Sequence, residues 1–434
     1  MVPKNNKKHS IAVVGSGVAG LAAAYFLSDR YQITMFESDS RLGGHSNTVS
    51  VPTVDKEIPV DTGFIVCNTQ NYPIFCKFLN ELNVSLSNSD MSFSYYKKEK
   101  TTGKYFYYSS DIPFGLFSQY SNVMSPQFWR FLSEIKRFNR VAIRDHQNNQ
   151  TQNSSLGEYL QERGFSRFLI ENYVIPMGAA IWSAPQTVLE QFPARSFIQF
   201  WVNHGLLSVT GRPQWKTVTN GSRSYVNQVA KIVQDRGGQI RLSSPVSQIS
   251  RQNGAIHVQI ENGDYFEFDK IVIATHADQA LRLLTDPSGE ETALLGAWNY
   301  SHNPTFLHTD ARLMPKHRRS WASWNYIVDP TNDRSVLPAV SYYMNRLQNL
   351  STQKDYFVTL NPPKGLLPKP ESIVAKFQYT HPIFDSKSMA TQHLLSQLNG
   401  VNDTYFCGSY FGFGFHEDAI RSSLAVANQL GIQW

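Results

Sequence analysis

The sequence predicts an α/β fold of two domains, one built on parallel strands and one of mixed α+β character. Three observations predict it. Near the start of the chain an apolar run, Ile11–Val14, meets a glycine turn and then a helical stretch, Val18–Leu27, as a buried parallel strand feeding a helix would. Far along the chain Asp269–His276 repeats the buried-strand pattern, ending in Ala274-Thr275. Between them lie aromatic-rich stretches, and 434 residues exceed what one ordinary core supports.

Gly15-Ser16-Gly17-Val18-Ala19-Gly20 is G-x-G-x-x-G. Gly15 permits the tight turn, Gly17 lets the backbone approach a pyrophosphate, and Gly20 lets the helix pack on the strand. The helix then aims its N-terminal N–H groups at the phosphates. Ile33–Phe36 is the second strand, and Glu37 stands at its end, 17 residues after Gly20. Its carboxylate is placed to accept both hydroxyls of an adenosine ribose, with Ser38 beside it. A Rossmann-type dinucleotide site is expected.

Ser40-Arg41-Leu42-Gly43-Gly44-His45-Ser46 follows the acid almost directly. It resembles the R-x-G-G signature of the flavin amine oxidase, phytoene desaturase and protoporphyrinogen oxidase superfamily. The resemblance implies FAD, bound non-covalently, with the arginine and the glycine backbone along its pyrophosphate and ribityl chain. A guanidinium suits phosphate, and glycines let the chain run beside a flat ring system. Val60–Val66, with Asp61-Thr62-Gly63-Phe64, resembles the family segment that returns to the flavin, which makes Gly63 and Phe64 candidates to lie near it; an ordinary strand end is the alternative. Tyr72–Leu82 has helical apolar spacing.

Composition narrows the classes. Hydrophobic residues are 41% and aromatic residues 13%, which excludes a disordered chain. The net charge of +6 is spread along the chain without a basic block, so nucleic acid is not an expected partner, whereas an anionic substrate or membrane surface is compatible. Cys67, Cys76 and Cys407 lack C-x-x-C spacing, which argues for a reducing compartment and no metal framework. Met1–Ser10 is basic, but the apolar run behind it stops at Gly15, so a secretory leader is not expected. No stretch has the apolar length to span a bilayer. A cytoplasmic protein is expected, with peripheral contact at the inner face of the membrane left open.

Ser92–Tyr108 reads as an aromatic hairpin around Lys97-Lys98-Glu99-Lys100, and Ile112–Phe117 as an apolar loop. Gln127–Ile143 reads as a helix with Phe128, Phe131, Leu132, Ile135 and Phe138 on one face and Arg130, Lys136, Arg137 and Arg140 elsewhere. Such a helix either packs its stripe inward or lies on an anionic membrane. Gln147–Ser155 is a polar loop, and Leu156–Val188 is helical in pieces, interrupted at Pro176. Asn220–Val226 resembles the family's entry into a helix that returns the chain to the first domain. Gln239–Ser250 is strand, turn and strand; Ile256–Ile260 and Tyr265–Phe268 form a hairpin around Asn262-Gly263. By the resemblance, Val246 contacts the adenine through its backbone, and Ala274 and Thr275 end a strand close to the dinucleotide.

Tyr405–Ser423 resembles the family's last FAD segment: strand, glycine-rich loop, then a helix whose N-terminus faces the flavin. Gly408, Gly414, Phe415 and His416 take the matching places; Ser409 stands where many members carry an acid. The wording F-G-F-H-E-D-A-x-R-S, with R-L-G-G-H-S-N-T-V, is similar to a bacterial branch associated with cyclopropane-fatty-acid synthase-like genes. The resemblance assigns residues 1–82, 219–290 and 400–434 to a discontinuous FAD-binding domain and 83–218 and 291–399 to a substrate domain. It implies a lipophilic, fatty-acyl substrate, oxidised by hydride removal as in a desaturase. Redox-neutral double-bond isomerisation, amine oxidation and a non-catalytic FAD-bound partner of a lipid methyltransferase are the alternatives. His416, Glu417 and Tyr300 are the candidate acid–base residues, with helix capping the alternative for His416 and Glu417. No second G-x-G-x-x-G followed by an acid is present, which argues against a separate nicotinamide site.

Overall fold

A computed structural model describes residues 9–434 other than 55, 99–102, 112–114, 152–153, 209–212, 253, 329–330 and 332. The residues before His9, the tip of the 93–109 hairpin, the start of the 112–117 loop and part of the 147–155 loop thus lie outside the described residues.

β1, Ser10–Val14, is the middle of a five-stranded parallel sheet. On one side lie β2, Gln32–Phe36, and then Gln239–Arg241; on the other lie Lys270–Ile273 and then Thr404–Phe406. The central strands are continuous apolar runs because both faces are covered: Ile11, Val13, Ile33 and Val272 are fully buried. α1, Val18–Leu27, buries nine of its ten residues. It is apolar all round because it lies between this sheet and the last helix, His416–Gln429, where Ser423 Oγ donates to the Ala19 carbonyl at 2.8 Å. A small antiparallel sheet, Val246–Gln252, Ala255–Ile260 and Tyr265–Phe268, carries the expected hairpin, with Gly263 at φ +94° in its turn.

The second large sheet has seven strands and is mixed. Its order is Ile373–Ile383, Asn299–His308, Phe357–Leu360, Ala339–Tyr343, Trp324–Ile327, Phe93–Lys98 and Tyr105–Ser109. The early hairpin, in register Tyr95 opposite Tyr108, joins the later strands through a parallel pairing with Trp324–Ile327. The helix Pro126–Gln147 presents Phe128, Phe131 and Phe138 to this core, none more than 1% exposed, and leaves Arg130, Lys136, Arg137 and Arg140 in water. Its aromatic stripe is therefore core, and a membrane role for Phe128 or Phe131 is ruled out by burial. Pro176 lies in the first turn of Ile175–Trp182, directly behind the wide π-type turn Ile170–Val174. Lacking an N–H, proline donates nothing to the preceding turn, and the wider turn takes up the break. Among the described residues no helix is long and apolar enough to cross a membrane.

Candidate FAD-binding and active site

The glycine loop is fixed by close contacts. Gly15 sits at φ +94°, and a Cβ on Gly20 would lie 1.9 Å from the Gly15 carbonyl oxygen, so neither position accepts a side chain. Gly17 differs: a Cβ there would meet nothing within 4 Å. The first turn of α1 holds no acid, so Val18 and Ala19 offer N–H groups to an anion unopposed. The second glycine loop lies against the first. Gly43 pairs with Gly17 in a parallel bridge, and the Gly43 N–H donates to the Ser16 carbonyl at 3.1 Å. Arg41 is held in place by donation to the Gly44 carbonyl at 2.8 Å.

Glu37 closes this end. One carboxylate oxygen accepts from the Ser16 N–H at 2.9 Å and from the Ser16 hydroxyl; the other accepts from the Asp39 N–H at 2.9 Å and the Ser38 hydroxyl at 3.1 Å. The two backbone donors orient the carboxylate, and the two serine hydroxyls occupy positions for which ribose hydroxyls would compete. Ala274 packs on the turn, its carbonyl oxygen 3.0 Å from where a Gly15 Cβ would stand, with Thr275 beside it. Val246 starts the small sheet just past β2, whose end is tied to it by Ser244 N–H donation to the Glu37 carbonyl at 2.8 Å.

The chain then delivers a group of rings to the boundary between the two large sheets. The Phe64 N–H donates to the His45 carbonyl at 2.8 Å, and a Cβ on Gly63 would stand 2.1 Å from that oxygen. His416, first residue of the last helix, stacks on Phe64 with ring centroids 3.6 Å apart. Its Nε2 lies 3.0 Å from Ser46 Oγ and 3.1 Å from the Tyr225 hydroxyl. His45 lies 4.9 Å from Tyr379, 5.5 Å from His381 and 6.2 Å from His276, ring to ring. Tyr300 stacks on His276 at 4.3 Å, and its hydroxyl accepts from the Ala277 N–H at 2.9 Å. Burial pushes His45 down to about 4 and His276, His381 and His416 to about 3, and neighbouring imidazoles add to the push on the last three. All four are neutral at pH 7.

His276, His381 and Tyr379 were not legible as site residues. Tyr379 and His381 share one face of Ile373–Ile383 by two-residue alternation, but nothing local says which sheet that face meets. His276 directly follows the Ala274-Thr275 strand end, a position that could have drawn notice.

Glu417 is removed from the reacting groups. Its carboxylate accepts from the Ile74 and Phe75 N–H groups, at 3.1 and 2.9 Å, at the start of α2, Pro73–Glu81. That end has no side-chain cap of its own, so Glu417 supplies the acceptor. Glu417→Ala is expected to lower stability by about 2 kcal/mol, read as a fall in melting temperature. Asp418 holds the glycine loop, accepting from the Phe413 and Phe415 N–H groups at 2.9 and 3.1 Å. Ser409 serves the loop through its carbonyl, which accepts from the Gly412 and Gly414 N–H groups, each at 3.1 Å, and Gly408 donates to Ser422 Oγ at 2.9 Å.

A family model for flavin containing amine oxidoreductases matches residues 18–354. The chain belongs to that family. FAD is typical of its members, and the room at Gly17, the buried Glu37 and the paired glycine loops of this chain fit that group. A curated relative, probable polyamine oxidase 4 of Arabidopsis thaliana, is 26% identical over 290 residues, 63% of this chain. The matched stretch spans only 51% of that protein. Among solved structures, putrescine oxidase bound to putrescine matches with a TM-score of 0.68 at 13% identity, covering 98% of this chain and 99% of that one. The CLA-producing fatty acid isomerase from P. acnes matches with the same score, identity and coverage. At these identities the likeness to both structures is one of fold.

Proposed function

We propose that the protein is an FAD-dependent oxidoreductase that removes hydride from a lipophilic, fatty-acyl substrate held at the boundary between the two large sheets. One observation carries this reading. The rings gathered there, His45, His276, His381, Tyr300 and Tyr379, make their hydrogen bonds with neutral partners only, and the acids near them are already engaged: Asp278 with Arg282 at 2.8 Å, Asp61 with Thr48 and Ser222, Glu417 with backbone N–H groups, and Asp418 with backbone N–H groups and Arg421. An ammonium group entering this site would lose water and have to compete for an acid that already has a partner, whereas an uncharged carbon chain finds the aromatic surface it needs.

Gly15–Gly20 with Arg41–Gly44 would hold the pyrophosphate of FAD, Glu37 its ribose, and the start of the last helix its ring system. Bound there, FAD supplies the hydride acceptor. The chain contributes orientation and exclusion of water through its aromatic walls. The imidazoles line the site without charge; burial, which holds His45 at about 4, makes it a weak base, so the chain assists hydride removal by orientation and exclusion of water rather than by taking the proton there.

Redox-neutral isomerisation of a fatty-acyl double bond is the second reading, favoured by the same neutral lining. Anaerobic spectroscopy of the FAD-loaded protein separates the readings. Lasting bleaching of the flavin bands by an unsaturated or branched acyl lipid, reversed by oxygen or a quinone, is expected for hydride removal. Product without lasting bleaching would mean isomerisation, and bleaching by amines alone would overturn both.

A further inference from the structure

The turn between the 93–109 hairpin and the helix Pro126–Gln147 is built inside out. Among the described residues, four of the eleven exposed large apolar side chains fall within it and the first turn of that helix: Tyr120 at 75%, Met124 at 84%, Trp129 at 49% and Val123 at 39% exposure. Two of its polar residues, Gln119 and Asn122, face the protein instead. Gln119 accepts from the Tyr107 N–H at 2.9 Å and donates to the Tyr105 carbonyl at 2.7 Å; Asn122 donates to the Tyr107 carbonyl at 3.0 Å. The exposure is therefore imposed by anchored backbone. Trp129 donates its indole N–H to the Val123 carbonyl at 2.9 Å, so the ring enters an apolar phase with its one polar atom already satisfied.

Cations rim this patch. Ser320 donates to Ser118 at 2.7 Å and Arg319 to the Tyr120 hydroxyl at 3.4 Å, which brings the exposed run Lys316–Arg319 beside the turn. Lys316, Arg319 and Arg130 make no ion pair among the described residues. The nearby acids are already engaged: Asp111 with Arg346 and Asp355 with Arg318, both at 2.8 Å, and Glu134 with the Ser166 N–H at 3.2 Å.

We propose that this turn docks the protein on an anionic lipid surface, with Met124 and Val123 entering the acyl boundary, Trp129 and Tyr120 at headgroup depth, and Arg130, Lys316 and Arg319 against the lipid phosphates. Methionine, tyrosine and tryptophan over unpaired cations is the chemistry of an interfacial anchor, and the +6 net charge of the chain adds attraction at longer range.

Flotation of the full, FAD-loaded chain with phosphatidylcholine vesicles, with and without phosphatidylglycerol, tests it. Binding is expected to the anionic vesicles, weakened by salt. Met124→Ser with Trp129→Ser should reduce the partition coefficient at least about tenfold, and Arg130→Ala or Arg319→Ala about fivefold each on anionic vesicles only. Met124→Ser alone removes no hydrogen bond and guards against a folding defect; unchanged flavin content and melting temperature confirm it. Absence of flotation, flotation untouched by these changes, or capture of a protein or a second copy of this chain through the patch without vesicle binding would each overturn the proposal.

Discussion

Gly17→Ala is expected to empty the protein of FAD while leaving the apoprotein folded. A methyl group at Gly17 meets no atom of the chain within 4 Å, and the residue sits at φ −58° and ψ 173°, a conformation open to alanine. The apoprotein should therefore melt within about 1–2 °C of the parent. That unfilled space lies at the N-terminus of α1 beside the Arg41–Gly44 loop, the site proposed for the pyrophosphate, and the methyl group would stand in it. FAD affinity should fall more than roughly a hundredfold, about 3 kcal/mol, measured by titration of the apoprotein. Gly20→Ala is the contrasting case. Its Cβ would collide at 1.9 Å with the Gly15 carbonyl oxygen, so it should damage folding as well as binding. Equal FAD affinity in Gly17→Ala and the parent would refute the assignment of this loop.

The apoprotein should also lose stability on mild acidification. Burial lowers His45, His204 and His308 to about 4 and His276, His381 and His416 to about 3, from the ordinary 6.5. Between those values and 6.5 the unfolded chain binds protons that the folded chain refuses. Stability from these groups is thus full above pH 6.5 and drains away as pH falls. Asp61 works the other way: burial raises it from 3.8 to about 6, so its contribution is present below 3.8 and is lost as pH rises through 6. Burial raises Glu417 and Asp418 in the same direction, but three carboxyls do not reverse the sign set by six imidazoles. At pH 5 each histidine costs at most about 2 kcal/mol, and the melting temperature should drop by about 10 °C or more between pH 7 and pH 5. A flat profile over that range would show that these rings are open to water and protonate freely.

The dinucleotide end was largely written in the sequence, because its rules are local. A strand, three glycines with defined contacts and an acid at the next strand end can be read in one pass, and Val18–Leu27 forms the expected helix. The ring cluster was legible only in part. His45, His416 and Tyr300 could be singled out, but Tyr379 and His381 lie on a strand whose facing partners depend on how the mixed sheet docks, which no spacing records, and His276 precedes a helix. The long helix shows the same limit. The stripe at Phe128, Phe131 and Phe138 was legible as apolar, but its direction was decided by Phe106 and Tyr108 of the hairpin, which cover Phe128 and Phe131, and by Phe165 and Trp201, which cover Phe138. Glu417 could be read as a reacting acid or as a helix cap, and only the distant start of α2 shows which N–H groups it caps.

The parallel sheet has a consequence for the order of events after translation begins. Its central strand, Ser10–Val14, pairs with Lys270–Ile273, far along the chain, and the edge beyond is Thr404–Phe406. Ser423, near the end of the chain, locks the last helix onto α1. Pairings of such sequence separation are slow to form; the first waits until Ile273 has left the ribosome, and the Thr404–Phe406 edge and the Ser423 contact come later still. A flavin site that uses both the glycine turn and the His416–Gln429 helix is therefore closed only when that helix has docked on α1.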